Sequence, residues 1–341
     1  MRARVALVSL LLVAGCQAQP TVVALPTPSG PPAVSVPTPS PSPSPSAASR
    51  PQVLVPWHGP VEALFVHPLV IHPTLAFRSD RLGRGFQDYF VTVRETRAVL
   101  EGLDARGWTL VDVHRAAAGT VRVPPGRKPL VLYEDDVNYY RYFTGRGLAS
   151  RLVLTPSGPR ALVDGALSDA DLVPMVDDFV AQHPEFSADG ARGVLALTGY
   201  EGLFGDRDPR SSAVTALAGW LRSHGWTLAS HTYGHIALAS ASRRTVLRDL
   251  ASWRGIAGGL GPIDVLVYPY GSRPSAANRR LLRDAGFTIQ VDIDVRARRQ
   301  VVDGVTLLSR RHVDGFAFQS AWRLVPFFDV RAVRDPQRPA A

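Results

Sequence analysis

The sequence predicts a single α/β domain from about residue 52 onward, made of about seven strand-then-helix units. Helical and strand patterns alternate there without another linker. One junction also recurs, in A-R-G-W-T-L at 105–110, S-H-G-W-T-L at 223–228 and D-A-G-F-T-I at 284–289. Each copy closes a helix-like stretch on glycine, which suits the left-handed position just past a helix, and opens an apolar strand on an aromatic residue. A chain of 341 residues with 45% hydrophobic content holds enough material for a sizeable core.

The elements follow in order. V-E-A-L-F-V-H at 61–67 reads as the first strand, and a helix is expected from about Thr92 to Arg106. W-T-L-V-D-V at 108–113 is a strand, and P-L-V-L-Y at 129–133 is another that delivers Asp135 and Asp136. The run 151–163 reads as an inserted β-hairpin turning at Pro156-Ser157-Gly158. Ser168, with Asp171 three residues later, is expected to cap a helix to about Gln182. R-G-V-L-A-L-T at 192–198 follows as a strand, then a helix through Trp220 and the strand W-T-L-A-S that carries His231 at its end. Ser242 and Ser275 open two more helices on either side of the strand D-V-L-V-Y-P-Y-G, and strands at 287–293 and 305–310 complete the pattern.

Ahead of the domain the composition changes twice. Residues 1–16 have Arg2 and Arg4, then an apolar stretch too short to span a bilayer comfortably, then L-V-A-G-C ending on Cys16. This resembles a bacterial lipoprotein signal peptide whose lipobox cysteine is lipidated. Residues 17–51 are a Pro/Ser tract, expected to run as an extended, disordered tether. The expectation is an extracytoplasmic protein held to the cell membrane through a lipid on Cys16. Cys16 is also the only cysteine, which excludes an intrachain disulfide and a thiolate nucleophile in the domain. Losing Arg2 and Arg4 with the signal lowers the formal charge of +9 by two, to +7, which favours acidic surroundings such as anionic wall polymers. No nucleic-acid motif accompanies this charge, so a nucleic-acid partner is not expected, and no protein partner is either.

The chemistry-bearing residues gather at strand ends. His231 and His235 stand four apart in S-H-T-Y-G-H and open a helical pattern, a spacing that puts both imidazoles on one face of a first helical turn. Asp135-Asp136 closes an apolar run. Two imidazoles and a carboxylate are a common hydrolytic zinc set that leaves a coordination position open. Asp136, His231, Tyr270 and Arg310 all fall at strand carboxyl ends, where (β/α) barrels place their sites.

These ordered segments resemble the polysaccharide deacetylases, the NodB-like carbohydrate esterases of family 4, over residues 60–315. The family's first motif, usually T-F-D-D-G, corresponds to Y-E-D-D-V at 133–137. Its second, H-[ST]-x-x-H, is matched in full by residues 231–235, and its third, in a Y-P-Y-G form, by residues 268–271. The resemblance implies a distorted (β/α) barrel of about seven strands carrying the inserted β-hairpin. It implies that Asp136, His231 and His235 bind a divalent metal, Zn²⁺ ahead of Co²⁺ or Ni²⁺, whose open positions take water and the acetyl carbonyl oxygen. Asp135 is then the general base, and a backbone N–H near Tyr270 an oxyanion donor.

Two departures stand out. Val137 replaces the motif glycine, so the backbone after Asp136 does not readily take a positive φ and the loop must differ. The arginine frequent in other branches' third motif is absent near Tyr268, leaving Arg310 or Arg311 to supply the charge that tunes Asp135. For the general acid two histidines compete, His312 in S-R-R-H-V-D-G and His67 at the end of the first strand. Tyr139, Tyr140 and Tyr142 stand where aromatic faces can stack on sugar rings, and Glu201 where it can touch substrate or metal. For Asp292 and Asp294 capping or solvation is expected ahead of orienting a catalytic histidine, and His58, His72, His114, His183 and His224 are expected to be loop or helix-end residues.

The function expected is a metal-dependent hydrolase that removes N-acetyl groups from an envelope polysaccharide such as peptidoglycan. An O-acetyl esterase acting on an acetylated polysaccharide is the alternative within the same chemistry. A non-catalytic glycan-binding lipoprotein that keeps the barrel is the alternative outside it.

Overall fold

The computed structural model describes residues 52–339. The expected signal segment, Cys16 and the Pro/Ser tether lie outside them. Seven parallel strands form the barrel: β1 (Glu62–Val66), β2 (Lys128–Glu134), β3 (Gly193–Leu197), β4 (Trp226–Ser230), β5 (Val265–Val267), β6 (Ile289–Ile293) and β7 (Val305–His312). Each strand bonds to the next in chain order, and β7 returns to β1 to close the ring.

Closure is uneven, which is what distorts the barrel. β7 pairs through five residues with β6 but meets β1 only at Arg311↔Leu64 and His312↔Phe65. β2 meets β3 only at its upper end, Tyr133↔Val194 and Glu134↔Leu195, because a short strand, Trp108–Leu110, occupies its lower edge. The strand expected over 108–113 therefore stops early and is not a stave. Asp112 ends it by accepting a hydrogen bond from the Arg115 amide at 2.9 Å, which caps a helix over Val113–Ala118.

Helices cover the outside. The one expected from Thr92 runs over Val93–Ala105 behind a full capping box of Thr92 and Glu95. The inserted hairpin pairs Arg151–Thr155 with Gly158–Val163 and gains a third strand, Ala166–Ser168. Ser168 thus ends a strand, and the helix Leu172–Gln182 is capped by Asp171 alone, through the Val173 amide. Ser242 and Ser275 cap their helices as expected. No helix among the described residues is long and apolar enough to cross a membrane.

Alternation along the strands divides the core in two. Ala63, Phe65, Val131, Tyr133, Val194, Ala196, Ala229, Val267, Val291 and Leu308 form one buried cluster inside the barrel, and the other parity packs against the helices. Continuing the inward parity past the strand ends brings His67, Asp135, Thr198, His231, Arg310 and His312 to the same carboxyl-end mouth.

Candidate active site

The metal-type cluster is built from two strand ends. Asp136, His231 and His235 each offer one ligand atom, all within 4.8 Å of one another. His231 leaves β4 directly, with its amide bonded to the Leu197 carbonyl at 2.7 Å. The expected helical turn is not formed: the next helix begins at Arg243, and Thr232 and His235 take φ values of 60° and 50°. These left-handed residues fold the loop back so that the two rings lie 4.9 Å apart. Asp249 holds the loop from beneath, accepting from the Tyr233 and Gly234 amides at 2.9 and 2.8 Å.

Outer partners orient each ligand. The His231 Nδ1 donates to the Val267 carbonyl at 2.8 Å, which turns Nε2 into the cluster. Burial, only partly opposed by Asp135, pushes the His231 imidazole down to about 4, so it is neutral at ordinary pH and its Nε2 is free to ligate. The His235 Nδ1 bonds the Tyr270 hydroxyl at 2.9 Å. Asp136 Oδ1 accepts from the Tyr140 hydroxyl at 2.7 Å and stands 3.6 Å from His235 Nε2. Asp136 and Tyr270 join Thr232 and His235 in the left-handed region, so four of the nine non-glycine residues with positive φ among the described residues belong to this one mouth. Such conformations cost on the order of 1–3 kcal/mol each and persist where the surroundings enforce them. The first motif needs its positive φ at Asp136 itself, so Val137 takes the glycine position without one.

Asp135 faces the cluster from β2's end, with Oδ2 at 3.6 Å from His231 Nε2. Arg310 grips it from β7, Nη1 to Oδ1 at 2.8 Å and Nη2 to Oδ2 at 2.7 Å. The guanidinium lies 3.8 Å over the Phe65 ring, inside the barrel. Burial alone raises the Asp135 carboxyl, but the Arg310 guanidinium, through its charge and its hydrogen bonds, holds the group below its ordinary value. Asp135 is therefore ionised at neutral pH, as a proton acceptor must be. The donor set of Asp136, His231 and His235 fits a divalent cation by ligand type, count and tautomer.

The deacetylase PplD of Streptococcus pyogenes, solved with acetate, superposes on 81% of this chain and 99% of its own with a TM-score of 0.50, at 14% identity. The chain has the fold of the polysaccharide deacetylases. A de-N-acetylase of Aggregatibacter actinomycetemcomitans (14% identity, 75% and 96% covered, TM-score 0.46) and IcaB of Ammonifex degensii (16%, 77% and 97%, 0.45) overlap less closely. No protein-family model matches the chain, and no curated protein is similar to it in sequence.

Within this deacetylase fold the other expected site residues take distinct places. Arg310, not Arg311, reaches Asp135; buried beneath the mouth, it lines no substrate surface, while Arg311 turns outward to Glu62 at 3.0 Å. Tyr139 is also buried, its hydroxyl donating to Asp171 at 2.8 Å, away from the mouth. Tyr140 lies between Tyr142 and Tyr200, at ring distances of 5.4 and 5.3 Å, and those two outer rings are each 44% exposed. Glu201 is engaged with the Arg141 amide at 2.8 Å and with Arg207 at 3.3 Å, and so clamps the tyrosine loop. His67 Nδ1 donates to the Tyr89 carbonyl at 2.9 Å, and His312 Nδ1 bonds Asp314 at 2.8 Å. Asp292 is neither capping nor solvated: it is buried, pairs with Arg273 and Arg298, and touches no histidine.

Sequence reasoning missed Thr198, Tyr200 and Asp249. Thr198 shares a 2.8 Å hydrogen bond with Tyr140, and inward alternation from Ala196 was the signal that marks it. Asp249 sits eighteen residues beyond His231 on a helix, and nothing local in the sequence ties it to the loop.

Proposed function

We propose that the protein is a metal-dependent hydrolase that removes N-acetyl groups from an acetylated glycan, with an envelope polysaccharide such as peptidoglycan as the substrate. The observation that carries this reading is the buried Asp135–Arg310 pair set against the Asp136, His231 and His235 cluster, an ionised base beside a three-ligand metal-type donor set. When bound there, a divalent cation such as Zn²⁺ supplies Lewis-acid stabilisation of negative charge and acidifies water.

The chain's own groups do the rest. Asp135 takes the proton of the attacking water at a carboxylate oxygen that Arg310 holds still. Water adds to the acetyl carbon, and the C–N bond then breaks as the nitrogen gains a proton. His67 is assigned as the donor of that proton: it follows β1 directly at the mouth, and its committed Nδ1 leaves Nε2 to give and regain the proton. The exposed rings of Tyr142 and Tyr200, backed by Tyr140, offer faces for sugar stacking. Attachment through a lipid on Cys16 would place the mouth outside the cytoplasmic membrane, next to such a polymer.

The test is acetate release from peptidoglycan, chitin oligomers and acetylxylan with Zn²⁺ supplied. Amide substrates should release acetate in wild type, and Asp135→Asn should abolish release while retaining Zn²⁺. No release by wild type from any of the three refutes the enzyme, and release from acetylxylan alone makes it an esterase.

A further inference from the structure

Beside the mouth lies a cavity of about 430 Å³, within the size range of small-molecule sites, lined by Ile293, Asp294, Arg311, His312, Phe316 and Arg323 among others. Three of its walls lead back to the catalytic set. A Cβ on Gly271 would sit 2.9 Å from the Ile293 side chain, so Ile293 packs directly on the turn whose Tyr270 bonds His235. The Phe316 ring meets the Tyr89 ring at 5.3 Å, and the Tyr89 carbonyl holds His67. The His312 ring meets the Phe65 ring at 4.4 Å, tilted by 49°, and Phe65 is the residue under Arg310.

Ion pairing leaves one charge of this cavity unmatched. Asp314 is used by His312 and by the Ala317 amide, at 2.8 Å each. Asp294 stands 3.4 Å from Arg273 and accepts from the Arg296 amide, while Arg311 is matched by Glu62 at 3.0 Å. Arg323 alone has no acidic partner among the described residues. Its guanidinium is stationed 5.3 Å over the Trp322 ring, and Trp322 and Phe316 are 67% and 46% exposed. A cation without an acidic partner, in a cavity that also presents the exposed Phe316 ring and His312, matches a pyranose that carries a carboxylate.

We propose that this cavity is a subsite for an acidic sugar adjacent to the acetamido sugar, with Arg323 binding its carboxylate and Phe316 facing its ring. The proposal rests on the deacetylase reading and narrows its substrate to anionic N-acetylated glycans.

Initial rates of acetate release from hyaluronan tetrasaccharide, in which N-acetylglucosamine alternates with a uronic acid, are compared with those from neutral chitotetraose. Wild type should favour the acidic substrate in kcat/KM by about tenfold, mostly through KM, as one charge-assisted contact provides. The preference should shrink with added salt. Arg323→Gln should bring the ratio near one and Arg323→Lys should restore part of it. Arg210→Gln, a surface arginine bonded to the Gly255 carbonyl, should keep the full ratio. Equal rates in wild type, or an unchanged ratio in Arg323→Gln, overturn the subsite and leave the deacetylase standing. If neither substrate yields acetate, the deacetylase reading fails, and calorimetry with hyaluronan tetrasaccharide decides the subsite alone: binding that Arg323→Gln abolishes upholds it, and no binding overturns it.

Discussion

Arg310 meets Asp135 fork to fork, both terminal nitrogens on both carboxylate oxygens at 2.8 and 2.7 Å, with neither side chain more than 4% exposed. The arginine fixes the direction of the base and keeps it charged. Removing it leaves a buried carboxylate uncompensated, so Arg310→Met should destabilise the fold by about 3–5 kcal/mol. Arg310→Lys keeps the charge but not the planar fork, and should lower kcat by on the order of 10²-fold through misplacement of Asp135. With the guanidinium gone the Asp135 carboxyl rises, so the acid limb of kcat against pH should move upward in Arg310→Met. An acid limb in the same place as wild type refutes the tuning role.

Tyr140 donates its hydroxyl to Asp136 Oδ1 at 2.7 Å and is held by Thr198 at 2.8 Å, which sets the rotation of the metal-type carboxylate. Loss of such an outer partner typically costs 10–100-fold in metal affinity, about the range expected for Tyr140→Phe. Zn²⁺ affinity measured by chelator competition on the purified domain checks this. His235→Ala should abolish binding in the same assay, and a Tyr140→Phe protein that binds as tightly as wild type removes Tyr140 from the site.

Much of this mouth is written as parity. Phe65, Tyr133, Ala229 and Leu308 are apolar and inward, so His67, Asp135, His231 and Arg310, two residues further along each strand, inherit the inward direction. The choice between Arg310 and Arg311 is decided by the same rule, once the pairing of Leu308 is known. What local pattern does not contain is the backbone that departs from it. The histidine spacing reads as a helical turn, yet left-handed Thr232 and His235 make a loop, because Asp249 from a distant helix occupies the loop's amides. Tyr139 and Tyr140 look equivalent in sequence, and the positive φ at Tyr139 is what sends one ring to Asp171 and the other to Asp136.

His67 and His312 both end inward-facing runs, and their roles separate by substitution. If His67 is the proton donor, His67→Gln should lower kcat by about 10²–10⁴-fold with little change in KM. His312→Gln, in the adjoining cavity, should act mainly on KM. The two effects interchanged would assign the proton donor to His312 instead. Steady-state kinetics on a single acetylated oligosaccharide distinguishes the outcomes.

At the opposite end of the barrel His114 bridges Asp264 at 2.9 Å and Asp112 at 3.4 Å, tying the cap of the helix Val113–Ala118 to the start of β5. Hydrogen bonds to Asp112 and Asp264 raise the imidazole to about 10, well above its unfolded value. A group whose folded pKa is raised stabilises fully below the unfolded pKa, and the stabilisation erodes as pH climbs to the folded one. The bridge should therefore help most below pH 6.5, fade between there and pH 10, and contribute nothing above. Because the ring is 45% exposed, the contribution is screened and should stay within about 1 kcal/mol. Melting temperatures of wild type and His114→Gln should differ at pH 6 and converge at pH 10.5, with both proteins in the same salt; a gap that is equal at the two pH values shows that the imidazole is not held charged.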